Sequence, residues 1–391
     1  MRPVRGDRFR RSLPQIAFAL PLTLVAGCAI SHAMRLGPPA SGCPAEGSAQ
    51  AGSLTWFQPV RSGDRRTLEK WCSAVGPPVF LPTPAASASR AGDPDPDGGQ
   101  AITVATWNVH VGAADIPVFL ETELGWACSA PARDGSQGGL KLEGEGRGPP
   151  FLLLIQEAYR ASVDLPSIRQ NATLRPRIEG IPPSGERLDI VETARRCGLA
   201  LFYVPSMRNG RDAPGSLPED RGNAILSTFP LTDPAAIEVP FESQRRVAAV
   251  AEAIVAQGVS VRLTSVHLDV VSSLLRALVQ GGTSRVRQGR GLAEALTELE
   301  ARHGSADATV VAGDLNTWSS HETVILQLLE AFPDSPPPGD ELTRGAFPAD
   351  HLFVRLARDG RAVFVRDSYR IATDDYGSDH RARIGRLNIR D

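Results

Sequence analysis

The chain has 391 residues, 42% hydrophobic and 22% charged, and a net charge of −2, an ordinary balance for a globular protein with one large or two small domains. Removing residues 1–27, which hold five arginines and one aspartate, leaves −6. That balance excludes the broad basic footprint of a tight, non-specific nucleic-acid binder. It does not exclude a nuclease, whose bound metal ions supply local positive charge.

In chain order, the first element is a targeting segment. Residues 1–12 are basic, residues 13–27 form a short apolar run, and Val25-Ala26-Gly27-Cys28 follows. Basic, apolar and small-residue zones in that order define an export signal, and the run is short for a membrane span. The last four residues resemble a bacterial lipobox, which implies a lipid on Cys28 and a mature chain starting there. A plain signal peptide with a chance cysteine is the alternative. The expected location is the cell envelope, at the outer membrane or periplasmic face, since Ala29 is not the aspartate associated with inner-membrane retention. Residues 28–100, rich in Pro, Ala, Gly and Ser, read as a tether and N-terminal extension, with a patch at 54–80 able to dock on the main domain. Cys43, Cys72, Cys128 and Cys197 remain after Cys28 and permit two disulfides in three connectivities. Proximity favours Cys43–Cys72 with Cys128–Cys197, and the spacings match no zinc pattern.

From residue 101 the texture changes to short apolar runs. Strands are expected at 102–109, 151–156, 199–204, 223–227, 248–255, 261–266, 309–312, 351–354 and 362–369. Helices are expected at 116–124, 190–196, 286–301 and 321–332. Several strands are apolar on both faces, as strands sandwiched between a second sheet and a helical layer must be. Gly/Pro-rich insertions at 131–150 and 205–221 interrupt the pattern, and long loops of that kind often border active sites. One α/β domain over 101–391 follows, with no internal repeat.

Four apolar strands end in polar groups: Asn108, Glu157, His267 and Asp314-Leu315-Asn316. Side chains two apart on a strand share a face, so Asp314 and Asn316 point together into a cleft while Leu315 points to the core. One polar strand end is an ordinary exit to solvent, whereas four of them suggest a site assembled from several strands. Carboxylate and amide oxygens suit a hard cation such as Mg²⁺.

Seven short motifs in this order are similar to those of the endonuclease/exonuclease/phosphatase superfamily. They are Thr106-Trp107-Asn108-Val109-His110, Ile155-Gln156-Glu157, Gly222-Asn223-Ala224-Ile225-Leu226-Ser227, Ser265-Val266-His267-Leu268, Gly313-Asp314-Leu315-Asn316, Asp350-His351-Leu352-Phe353 and Ser378-Asp379-His380. The resemblance implies a four-layer α/β sandwich, two mixed β-sheets packed face to face and flanked by helices. It implies metal binding by Glu157, with Asn108 and Asp379 in the same network, and Mg²⁺ or Mn²⁺ as the cofactor. Asp314 and Asn316 would orient the attacking water and the scissile phosphate. His267 would donate to the phosphate or protonate the leaving oxygen. His380 would act as general base or phosphate contact, held in one tautomer by Asp350; which group is the base stays open. Neighbouring side chains in an extended segment point to opposite sides, so Asp379 is poorly placed to orient His380 and a carboxylate from another strand end is needed. Arg221 and Asn223 are candidates for substrate contact. His110 shares a strand face with Asn108 and lines the site or serves structure. Arg285, Arg287 and Arg290 face phosphate or, more simply, solvent.

The expected activity is divalent-metal-dependent phosphodiester hydrolysis by water, endonuclease-like, with nucleic acid or phospholipid as the partner and the membrane reached through the N-terminal lipid. The alternative is a phosphoesterase of a phospholipid, sphingomyelinase-like, or of a small phosphorylated metabolite. Trp126 and Trp318 stand isolated, so no Trp/Phe-rich hairpin for bilayer entry is visible. A binding-only lipoprotein is the third reading, disfavoured because each motif position holds a chemically competent residue. No protein partner is inferred.

Overall fold

Alternation inside the apolar runs decides the layers. In β5 (Phe151–Ala161), Leu152 and Leu154 enter one buried cluster, while Leu153 and Ile155 enter another on the opposite face. A strand with two apolar faces needs a partner on each side, and the chain supplies a second sheet on one and helices on the other. A computed structural model of the chain describes residues 34–37, 54–59, 75–84, 99–128, 148–165, 187–209, 215–242, 244–270, 282–339 and 341–390.

The first sheet runs β1 (Met34–Gly37), β2 (Thr55–Pro59), β8 (Leu231–Glu238), β9 (Val247–Ala256), β10 (Val259–His267), β11 (Ala308–Asp314), β12 (Asp350–Leu356). The second runs β13 (Ala362–Ile371), β14 (Arg383–Ile389), β4 (Gln100–Asn108), β5, β7 (Glu219–Ser227), β6 (Ala200–Arg208), β3 (Val79–Leu81). Both sheets are mixed, with β10/β11 and β2/β8 parallel in the first and β4/β5 parallel in the second. Ile102, Leu154, Leu263 and Val310 meet in the core between the sheets. Outside the second sheet lie α1 (Ile116–Leu124) and α2 (Ile190–Arg196), packing Phe119, Leu120 and Ile190 onto Leu153 and Ile155. Outside the first lie α3 (Thr283–His303) and α4 (Thr323–Ala331), packing Leu292, Leu296 and Leu328 onto Val250 and Val311. The result is the α/β sandwich expected from the motifs.

Local chemistry sets the helix ends. Asp115 caps α1 by accepting from the Val118 amide, and Gly125 closes it in the left-handed conformation. Asp189 caps α2 through the Val191 and Glu192 amides. Arg285, at the start of α3, is buried in an ion pair with Glu322 of the segment leading into α4, and Arg287 pairs with Glu242. Two of the three arginines of that helix start are thus committed to ion pairs.

Four expectations need amendment. The 205–221 insertion is strand at both of its ends: β6 runs on through a register shift between Pro205 and Met207 to Arg208, and β7 begins at Glu219. Proline is tolerated there because a bulge asks no ladder hydrogen bond of it. Strand β8 went unread because Asp233-Pro234 looks like a turn; the pair sits in a second bulge, with Asp233 at φ 47°. Strand β14 went unread because Arg383 and Arg386 break its apolar pattern. Arg383 is nevertheless buried, donating to Glu341 and to the Tyr369 hydroxyl. Within the stretch whose composition reads as tether, β1, β2 and β3 add strands to the two sheets. Cys128 and Cys197 are disulfide-bonded. Cys28, Cys43, Cys72 and residues 131–147 lie outside the described residues. No helix among the described residues is long and apolar enough to cross a membrane.

Candidate active site

Strand register places the chemistry. In the first sheet His267 pairs with Asp314 across the parallel β10/β11 ladder, and Asp314 pairs with Asp350 across the antiparallel β11/β12 ladder. Three functional groups therefore stand side by side on adjacent strands. Gly313 permits this, because a Cβ there would lie 1.8 Å from the Val266 carbonyl oxygen. Gly313→Ala must push the two strands apart, and a loss of about 2–3 kcal/mol is expected, the upper part of the overpacking range. Thermal unfolding of the variant, with a clearly lowered Tm, checks this.

The second sheet supplies the opposing groups. Asn108 closes β4, and Glu157 sits where the β5/β7 register shifts between Ile155 and Ala158. Glu157 has φ 54° and Asn316 φ 53°, a left-handed conformation unusual for side chains other than glycine. Held strain of that sort, at two positions of one site, aims side chains that regular strand geometry would turn elsewhere. His380 follows Ser378-Asp379 in the turn before β14; the Ser378 hydroxyl donates to the Asn108 carbonyl at 2.6 Å and accepts from the His380 amide at 3.0 Å.

Asp314 is the hub. Its Oδ2 accepts from Asn108 Nδ2 at 3.0 Å and lies 3.4 Å from His267 Nε2 and 3.7 Å from His380 Nε2. Its Oδ1 accepts from the Asn316 amide at 2.7 Å, while Asn316 Nδ2 donates to the Leu268 carbonyl at 3.0 Å. His380 Nδ1 meets Asp350 Oδ2 at 2.7 Å, so the carboxylate that orients this imidazole comes from β12 and not from neighbouring Asp379. Glu157 Oε1 lies 3.9 Å from His267 Nδ1 and its Oε2 3.7 Å from Arg221 Nη1. An open cleft of about 190 Å³ adjoins this group, lined by Glu157, Ser206, Met207, Arg221, Asn223, Arg246 and His267 among others.

Burial separates the ionisation of these groups. Burial pushes the Asp314 carboxyl up, the charge of Asp350 adds to that, and it ionises at about 6 although His380 opposes the rise. Burial alone would lower His380, but Asp350 and then Asp314 outweigh it and raise it to about 9. Asp350 is pushed up by burial and pulled down further by His380 and by hydrogen bonds, ending below the usual carboxylate range. His267 is held well below its usual value by burial, and next by the Arg246, His380 and Arg221 charges. The site thus holds a neutral imidazole, a protonated imidazole and, between them, a carboxylate that ionises just below neutrality.

Asn108, Glu157, His267, Asp314, Asn316, Asp350 and His380 converge as one group. Asp379 stands at its edge: it is 37% exposed, is held by Arg344 at 3.0 Å, and lies 3.8 Å from both His110 Nδ1 and His380 Nε2. Its contacts face Arg344 and the histidines, not Glu157. Arg221 lines the cleft with Asn223, whose amide is occupied by the Val247 carbonyl. Sequence reading missed Arg246 and Arg344, both outside the motifs. Arg344 comes from the loop before β12 and reaches Asn316 Oδ1 at 3.5 Å. It also gave Gln156 no role. Gln156 Nε2 donates to Thr106 Oγ1 at 3.1 Å and to Ser265 Oγ at 3.0 Å, and Ser265 Oγ donates to the Ile155 carbonyl at 2.8 Å, stitching the sheets together beneath the site.

Two groupings offer metal ligands. Asp314, Asp350 and His380 present atoms within 4.8 Å of one another, and Asp350 Oδ1 and His380 Nε2 are buried without a hydrogen-bond partner. Using His380 Nδ1 or Asp350 Oδ2 there would break their 2.7 Å contact. Glu157 is more accessible, with only long pairings, and suits a hard cation as an oxygen donor beside Asn108.

A two-sheet α/β sandwich with carboxylates and imidazoles gathered at strand ends has the architecture of a phosphoester-hydrolase fold. Residues 105–380 match the model of the endonuclease/exonuclease/phosphatase family, and the chain belongs to that family, whose members are hydrolases acting on phosphoester bonds. Similar solved structures include an endonuclease/exonuclease/phosphatase from Beutenbergia cavernae, at 15% identity, TM-score 0.47, and 74% of this chain against 72% of that one. The human Nocturnin catalytic domain is similar at 16% identity, TM-score 0.43 and 74% against 94%. An endonuclease/exonuclease/phosphatase from Bacteroides vulgatus is similar at 12% identity, TM-score 0.43 and 74% against 99%. No curated protein gives a significant match.

Proposed function

We propose that this protein is a divalent-metal-dependent phosphodiester hydrolase that uses water as its nucleophile. The observation that carries the reading is the Asp314 carboxylate set between two imidazoles from different strands, one of them oriented by Asp350. A carboxylate ionising at about 6 accepts a proton from water near neutral pH. As the water oxygen bonds phosphorus, its proton passes to Asp314 and the bond to the leaving oxygen breaks. His380, protonated and fixed through Nδ1, presents Nε2 as a donor to the developing phosphoryl charge or the departing oxygen. His267, neutral, lends a second ring N–H, and Asn108 and Asn316 hold Asp314 in place. Glu157 with Asn108 would hold Mg²⁺ or Mn²⁺, which supplies neutralisation of phosphoryl charge when bound.

The test is a screen of the mature chain with Mg²⁺, Mn²⁺ or EDTA. It covers plasmid nicking, phosphocholine release from sphingomyelin and phosphate release from monoesters, with Glu157→Gln beside the wild type. Metal-dependent cleavage of a diester supports the reading, phosphate release from monoesters alone transfers the protein to the phosphatase class, and no hydrolysis in any arm refutes it. Glu157→Gln is expected to weaken cation binding, measured by calorimetry, by about a hundredfold, the upper end for residues that only orient a ligand. The lipobox-like sequence supports export and tethering through Cys28. On that reading Cys28→Ser moves the protein from the detergent phase to the aqueous phase on partitioning, and an unchanged distribution refutes the tether.

A further inference from the structure

Among the described residues, aromatic rings are buried or partly buried almost everywhere. Trp56, Trp107 and Trp126 are 0–2% exposed, whereas Trp318 is 39% and Phe347 42% exposed, the only exposed aromatic side chains among the described residues. The two exposed rings contact each other, with centroids 5.8 Å apart and planes 34° from parallel. The two solvent-facing rings together form a small exposed aromatic surface.

Both rings stand beside the reacting groups. Trp318 follows Asn316 by two residues, so their Cα atoms lie within about 7.6 Å. The intervening Thr317 anchors that turn by donating to the Pro348 carbonyl at 2.6 Å, next to Phe347. The Phe347 amide donates to the Arg344 carbonyl at 2.9 Å, and the Arg344 guanidinium reaches both Asn316 and Asp379. The two rings are thus carried by the same loop segments as Asn316 and Arg344, at a rim beside the site.

We propose that Trp318 and Phe347 form a stacking platform for an unpaired nucleobase carried by the substrate next to the scissile phosphodiester, so that this rim sets substrate preference. The proposal rests on the phosphodiester-hydrolase reading and gives it a substrate class. A base offers a planar π-face to the rings, and the adjoining guanidinium suits it as well. The charged surroundings argue against an acyl chain or bilayer. The Arg344–Asp379 pair is 43% and 37% exposed, His110 is 39% exposed, and the Glu322 carboxylate accepts from the Trp318 amide. Insertion of the rings into lipid would bury those charges.

The test reads binding in EDTA, apart from catalysis. Binding is read as the fluorescence anisotropy of a dye-labelled short single-stranded oligonucleotide and of its fully abasic counterpart, and as co-sedimentation with phosphatidylglycerol vesicles. Wild type is expected to bind the base-bearing strand about tenfold more tightly than the abasic one, a loss in the range of one stacked base. Trp318→Ala and Phe347→Ala should abolish that preference, while Trp318→Phe, which keeps a ring, retains most of it. Equal affinity for the two strands, or a preference that survives both alanine variants, overturns the platform. Vesicle binding lost in Trp318→Ala without any base preference also overturns it, assigning the rings to a lipid surface. Base-selective binding with no cleavage after Mg²⁺ is added upholds the platform and refutes the hydrolase reading, so the two failures are distinct.

Discussion

Asp314→Asn lowers kcat by about a thousandfold or more, with the folded protein close to wild type in stability near pH 7, the hydrogen bond lost at Asn108 offsetting the removal of a buried charge. The kinetic loss follows from position: the asparagine keeps one carbonyl oxygen for the Asn316 amide, sets its NH2 where Oδ2 accepted from Asn108, and cannot take a proton from water. General acid–base groups of this kind contribute roughly 10²–10⁴-fold, and the residue also fixes the spacing of both imidazoles. The stability sign is opposite to the usual one for a paired carboxylate. Asp314 ionises at about 6 in the fold but at roughly 3.9 in an unfolded chain, so its ionisation opposes folding as pH rises from about 4 to 6. A neutral replacement removes that opposition. Steady-state kinetics with thermal unfolding at pH 7 separates the two effects, and a variant that is inactive because it has unfolded would contradict the assignment.

Asp350→Asn is expected to cost a comparable factor by a different route. An amide facing His380 Nδ1 no longer stabilises the imidazolium and permits the wrong ring tautomer. Burial then acts on His380 without its main opponent, and its pKa falls from about 9. Titration of the metal-free protein by histidine NMR should show one imidazole near 9 in wild type and its marked downward shift in the variant. The stability sign follows as well. A folded pKa raised from the usual 6.5 stabilises the fold fully below about 6.5, and the contribution disappears as pH rises through about 9. The Tm deficit of Asp350→Asn should therefore be largest in mildly acidic solution and shrink above pH 9. A His380 resonance unmoved by the substitution would show that the 2.7 Å contact does not govern its ionisation.

What could be read from the sequence was what depends on local pattern. Leu152 to Ile155 announce a strand with two apolar faces, and the helix expected at 116–124 forms as α1. Asp314-Leu315-Asn316 announces a cleft because a period of two needs no knowledge of neighbours. The Asp350–His380 pairing was implied by the family resemblance; the opposed directions of adjacent side chains in an extended segment argued only against Asp379 and for a carboxylate from another strand end. Strands were missed where tertiary context overrides residue preference, as at Asp233-Pro234 in its bulge and at buried Arg383 in β14. Arg344 carries no local sign of function, since only the fold of its loop brings it to Asn316 and Asp379. Arg246 is likewise one arginine among many until β9 places it on the cleft. The contact between Trp318 and Phe347 spans 29 positions of sequence, which is why each ring, taken singly, looks isolated.

The Gln156 bridge has a consequence for how activity is acquired during folding. Asn108 and Glu157 lie on one sheet, with His380 in the turn that leads into its β14, and His267, Asp314 and Asp350 lie on the other, so the Asn108–Asp314, Glu157–His267 and His380–Asp350 contacts all cross the seam that Thr106, Gln156 and Ser265 lock. Neither half of the sandwich owns a working set of groups. Turnover should vanish along the same denaturant curve as the global loss of structure, with no partly assembled species retaining it, which makes hydrolysis itself a gauge of whether the two halves have met.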